Sequence, residues 1–200
     1  MRTNALSLGL AAALLTVTAC NKDGGASGNR AAQTPAAQKL AGTKTIAAGL
    51  TANGKFMAAA KFAGLDQTLA GPGPYTVFVP DDAAFDKAPA GTFDTKPENR
   101  AKITSVLTNW ILTGTVLVAD IDKAIDNGKG KTLLATVGGG NLTATKEGGK
   151  TVLADSSGNK AAITAGDEQY TNGVVHHVDA VLLPSDRAAN APAVGEKAGK

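Results

Sequence analysis

The chain's two histidines stand side by side, His176 and His177, two residues before Asp179. Two chemistries use such groups: metal binding and a serine hydrolase. On a strand, neighbouring side chains point to opposite faces, so His176 and His177 do not close on one ion. His177 and Asp179 share a face and suit a surface pair. With one cysteine in 200 residues, no Cys/His cluster completes a metal shell, and no metal site or cofactor is expected. A hydrolase using His176 or His177 with Asp179 needs an activated serine. No G-x-S-x-G elbow occurs, and Ser156-Ser157 fall in a glycine-rich turn, so no catalytic residue is assigned. Gly130-Lys131-Thr132 and Gly149-Lys150-Thr151 imitate the end of a phosphate loop, but Ile125 and Ala144 replace its first glycine.

The element that positions these histidines runs from Asn172 to Pro184. Asn172-Gly173 is a turn signal, and Val174 to Leu183 reads as a β-branched strand that Pro184 stops. Val174, His176, Val178, Ala180 and Leu182 share one face; Val175, His177, Asp179, Val181 and Leu183 share the other. Both faces are largely apolar, which predicts a central strand covered on both sides. His176 then reads as a buried neutral imidazole bonded to backbone or to a polar group nearby.

Charge excludes one class of partner. Twenty Lys and Arg against 17 Asp and Glu leave a formal charge of +3, the positive residues are scattered, and aromatics make up 4%. That pattern lacks the basic stripe and stacking residues of a nucleic-acid binder. The length suits one domain plus a leader and tails.

Met1-Arg2 and the apolar run Ala5 to Val17 have the form of an export signal, too short for a membrane span. The run closes on Val17-Thr18-Ala19-Cys20, which resembles a bacterial lipobox; lipidation of Cys20 after removal of residues 1–19 accounts for a lone thiol in an exported chain. Asn21 after the cysteine resembles the outer-membrane sorting pattern. Residues 20–43 read as a flexible tether and 186–200 as a solvated tail, with the folded domain over 44–185.

Within the domain, apolar spacing predicts two or three short helices over Thr45 to Ala70, with Gly64 and Gly71 as stops. Tyr75 to Val79 reads as a buried strand ended by Pro80, and Asp81 or Asp82 as the cap of a helix starting near Ala83. Pro97 opens a helix whose apolar face is Ile103, Val106, Leu107, Trp110 and Ile111. Gly114 ends that helix and Val116-Leu117-Val118 reads as a strand. A short helix over Asp120 to Asn127 precedes a meander at Thr132–Val137, Asn141–Thr145, Thr151–Ala154 and Ala161–Thr164, with glycine turns between. Phe78, Phe85, Trp110 and Leu182 are expected in one core.

Two of these stretches resemble a known family. Thr76-Val77-Phe78-Val79-Pro80-Asp81-Asp82-Ala83-Ala84-Phe85 is similar to the first signature of the fasciclin (FAS1) domain. Asn172-Gly173-Val174-Val175-His176-His177-Val178-Asp179, followed by Val181 to Pro184, is similar to the second. Leu107 to Ile121 matches the middle segment in order, and the resemblance covers roughly Thr45 to Pro184.

The resemblance implies an α+β fold, a β-sandwich-like wedge of mixed strands packed against several short helices. It assigns structural roles to Thr76, Phe78, Asp82, Phe85, Asn172, Gly173, His176 and Asp179. It also implies a binding or adhesion module of the cell envelope, without catalysis. Its partner would be an envelope or extracellular protein, a polysaccharide or a second copy, and its membrane contact the lipid anchor only. Animal matrix members carry a Tyr-His pair linked to integrin binding; Asn109-Trp110 stand there in this chain, which argues against that mode. Trp110 is expected in the core or, if partly exposed, as a partner contact. Two alternatives are a small apolar ligand held between helix and sheet, and a hydrolase using His176.

Overall fold

The computed structural model describes residues 42–50 and 54–183. The export signal, Cys20, almost all of the tether, Pro184 and the tail lie outside the described residues.

Three short helices come first, α1 (Ile46–Gly49), α2 (Lys55–Ala63) and α3 (Asp66–Ala70). α2 buries Phe56, Met57, Ala59 and Ala60 along one stripe, and Gly64 ends it at φ 78°, a left-handed conformation glycine adopts without strain. Strand β1 (Tyr75–Pro80) leads to α4 (Asp82–Asp86), and a 3-10 turn at Pro97–Asn99 leads into α5 (Arg100–Thr108). Then follow β2 (Ile111–Thr113), α6 (Val118–Asn127), β3 (Lys131–Ala135), β4 (Asn141–Glu147), β5 (Lys150–Ala154), β6 (Lys160–Tyr170) and β7 (Gly173–Val178).

The seven strands form one mixed sheet in the order β2-β1-β7-β6-β5-β4-β3. β3 to β7 are an antiparallel meander, and β1 pairs β7 in parallel with Thr76 opposite Val174 and Phe78 opposite His176. The expected central position of the histidine strand holds. β6 pairs β5 at its start and β7 along the rest, with register shifts between Ile163 and Glu168 that turn the sheet. The curl brings the two edges together: the Val137 N–H donates to the Ile111 carbonyl at 2.8 Å. Phe78, Phe85, Trp110 and Leu182 share one core with the helices.

Three elements differ from the sequence reading. The histidine strand ends at Val178 rather than running to Leu183. Asp179 makes the last bonds to β6, its N–H donating to the Ala162 carbonyl at 3.2 Å and its carboxylate accepting the Ala162 N–H at 2.7 Å, and the chain then carries Leu182 into the core. The helix after Pro97 stops at Thr108, so Trp110 lies beyond it and Ile111 opens β2.

No strand forms at Val116 to Val118; Val118 instead opens α6. Polar side chains explain this. The Val116 N–H donates to Thr76 Oγ1 at 2.9 Å, and its carbonyl lies 2.8 Å from His176 Nε2, so neither group is left for a ladder. Asp120 and Asp167 accept the N–H groups of Leu117 and Val118, satisfying the first amides of α6.

Candidate functional site

The two signature segments meet because β1 and β7 are neighbours. Thr76, buried, donates its hydroxyl to the Gly114 carbonyl at 2.8 Å while accepting from Val116. His176 is 0% exposed, with its ring centroid 5.5 Å from that of Phe78. Its Nδ1 accepts the Asp167 N–H at 3.1 Å, so the ring hydrogen resides on Nε2 and is donated to Val116. Burial holds this imidazole below its ordinary titration range, opposed by the Val116 bond and by the Asp167 carboxylate 3.9 Å away. His176 is thus a neutral bracket between β7, the connector ahead of α6 and the bulge of β6.

Asn172 is a second bracket. Its Oδ1 accepts the Ile46 N–H, and its Nδ2 donates to the Leu69 and Gly71 carbonyls, each at 2.8 Å. One buried amide therefore ties β7 to α1 and to the end of α3. Gly173 must lack a side chain, since a Cβ there would lie 2.1 Å from the Tyr75 carbonyl oxygen on β1.

Asp82 does not cap its own helix. Its Oδ1 accepts the Lys55 N–H at 3.0 Å, supplying a partner to the first turn of α2, whose N-cap Gly54 has no side chain. Lys55 Nζ pairs with Asp86. Asp81 precedes α4 without a side-chain capping bond and lies 3.5 Å from His177 Nδ1. Phe85 packs against Phe93 and Trp110, their ring centroids 4.8 and 6.0 Å from its own.

Trp110 is 1% exposed, and its indole N–H donates to the Leu182 carbonyl at 2.8 Å. The core position expected for Trp110 holds, and the alternative of a partner contact there is corrected: the ring faces Phe56, Phe85 and Phe93 in the interior and offers no surface.

No Ser-His-Asp arrangement assembles among the described residues. Asp179 bonds the Ala162 amide, both ring nitrogens of His176 meet backbone groups, and Ser157 sits in a turn held by Asp155. His177, partly exposed, has Glu168 on Nε2 at 3.2 Å and Asp81 on the other nitrogen. Carboxylates on opposite sides of a ring do not share an ion, and no group of three His, Cys, Asp or Glu placed to hold a metal occurs among the described residues. The Tyr170 hydroxyl donates to Glu168 and lowers its titration, reinforced by His177; burial and that same bond push the Tyr170 phenol up.

The sequence reading missed Asp167 and the Glu168-Tyr170 pair. Asp167 has φ 62°, a left-handed conformation that Asp tolerates, and this turns its carboxylate to α6 and its N–H to His176. Gly166 beside it was the available signal, since a Cβ there would lie 2.4 Å from Val118. Also unforeseen is a cavity of about 380 Å³ between α2 and the loop after α4, lined by Ala58, Ala59, Phe85, Phe93, Asp86 and Asp94 among others.

The fasciclin domain family model matches residues 53–184. The chain belongs to the fasciclin family. It is 34% identical over 141 residues to protein sll1483 of Synechocystis, covering 70% of this chain and 71% of that one. Against the cell surface glycolipoprotein MPB83 of Mycobacterium bovis it is 32% identical over 120 residues, 60% of this chain and 48% of that one. With the immunogenic protein MPT70 of Mycobacterium tuberculosis it shares 32% over 112 residues, 56% of this chain and 51% of that one. The FAS1 chain thus spans about half the length of these mycobacterial relatives.

A FAS1 domain pair from the insect cell adhesion molecule fasciclin I superposes with a TM-score of 0.61 at 19% identity, covering 74% of this chain and 53% of that one. This likeness establishes the fold, a mixed sheet of seven strands with several short helices, as the sequence implied. No helix among the described residues is long and apolar enough to cross a membrane.

Proposed function

We propose that this FAS1 chain is a binding and adhesion module of the bacterial cell envelope, anchored by lipid on Cys20 and working without catalysis. The observation that carries the reading is how the signature side chains are spent. Thr76, Asp82, Asn172, His176 and Asp179 each hold a backbone group of another segment. Such residues build a rigid body, and its function falls to its surface. Relatives named as a cell surface glycolipoprotein and as a cell adhesion molecule support an envelope role. The lipobox-like Val17-Thr18-Ala19-Cys20 supports the anchor.

The test compares cells making the full chain, the Cys20→Ser chain and no chain. The wild type is expected in the membrane fraction with a lipid label, and the cells are expected to attach or aggregate. Cys20→Ser is expected to lose the label and to leave the membrane fraction. Attachment that is identical without the chain overturns the adhesion reading. Hydrolysis of an ester panel by the purified chain, lost in a folded His176 variant, overturns the non-catalytic one.

A further inference from the structure

We infer that the cavity between α2 and the loop after α4 binds a saccharide ring, which rests on the envelope reading and gives that module a polysaccharide as its ligand class. The site is a concavity of about 380 Å³, within the ordinary range for small-ligand pockets. Its buried lining is small and apolar, the Ala59 methyl and the Phe85 ring, with Phe93 half-buried and Ala58 exposed beside them. Its rim carries Asp86 and Asp94, both exposed, and Lys55, which pairs with Asp86.

The lining decides the ligand class. A purely apolar ligand favours walls that are almost wholly hydrophobic, whereas this rim presents charged acceptors and a donor. A pyranose has the matching halves: ring C–H groups for the apolar lining, and hydroxyls that donate to carboxylates in charge-assisted bonds. Each rim aspartate has one lysine partner, Lys55 for Asp86 and Lys96 for Asp94, and a carboxylate has capacity for more. The cavity also lies between helix and loop, away from the helix-sheet interface where an apolar ligand was expected.

The fold supplies its own reporter. Trp110, the only tryptophan, lies 6.0 Å from Phe85 and 6.1 Å from Phe93 by ring centroids, two rings that line the cavity. The experiment titrates the full chain in detergent with millimolar cellotetraose, chitotetraose and maltotetraose, followed by Trp110 emission and calorimetry. A saturable change with at least one sugar is expected. Ala58→Phe, which plugs the cavity from the exposed side of α2, is expected to abolish it, and Asp94→Asn to weaken binding about tenfold. Both variants should keep the wild-type urea midpoint.

No saturable response to any of the three sugars overturns the inference, as does binding that Ala58→Phe leaves intact. Binding of anilinonaphthalene sulfonate that Ala58→Phe blocks, with no response to sugars, overturns it in favour of an apolar ligand. If cells still attach while the sugars leave Trp110 unchanged, this inference fails and the envelope reading stands; loss of attachment as well removes both.

Discussion

The imidazole Nε2 of His176 lies 2.8 Å from the carbonyl oxygen of Val116, sixty residues earlier in the chain. That bond, with the Asp167 N–H on the other ring nitrogen, makes His176 the joint of β7, β6 and the entry to α6. Removing the ring in His176→Ala leaves a buried carbonyl, an unpaired amide and a void. The expected loss is about 3–5 kcal/mol, read from urea unfolding midpoints. A variant within about 0.5 kcal/mol of the wild type would deny the bracket role.

Acid is expected to weaken the fold through the same residue. The folded-state titration of His176 is depressed, so the unfolded chain takes up its proton first. Stability is then full above the unfolded value of about 6.5 and falls as pH drops below it, by at most about 1.4 kcal/mol per pH unit. The depressed Glu168, half-exposed and so screened by solvent, adds a smaller loss only lower, in the carboxylate range. Unfolding midpoints between pH 7 and 5 should decline in the wild type, with a flatter profile in a folded His176→Gln variant.

Asn172 offers a test of geometry against charge. Asn172→Ala leaves one amide and two carbonyls without their partner, an expected cost of about 3 kcal/mol or more. Asn172→Asp is nearly isosteric but turns an acceptor-only group toward the Leu69 and Gly71 carbonyls. At neutral pH it should unfold at a lower temperature than Asn172→Ala; a wild-type melting temperature for the Asp variant would refute the assigned amide orientation.

Trp110 is expected to behave as core. Trp110→Phe keeps a ring against Phe56, Phe85 and Phe93 but abandons the Leu182 carbonyl, costing about 1–2 kcal/mol, while Trp110→Ala should cost about 3–5 kcal/mol. Wild-type emission should be blue-shifted and resist quenching by iodide. Ready quenching would return the ring to the surface.

By itself the sequence determined what local rules govern. Alternating β-branched residues marked β1 and β7, glycines marked the turns of the meander, and small apolar repeats marked α2. The apolar parity of His176 predicted its burial. Tertiary structure decided where backbone groups are claimed by side chains far away in the chain. Val116 has strand-forming neighbours, yet Thr76 and His176 take its polar groups, so the segment becomes a connector. Val181 to Leu183 has strand composition, yet the bonds to β6 end at Asp179 and the Leu182 carbonyl receives the Trp110 indole, so the chain leaves the sheet. The cavity beside α2 follows the same logic, since Ala58 and Phe93 become its walls only when helix and loop pack. Periodicity reports which face of an element is apolar; which distant group meets it is set by three-dimensional packing.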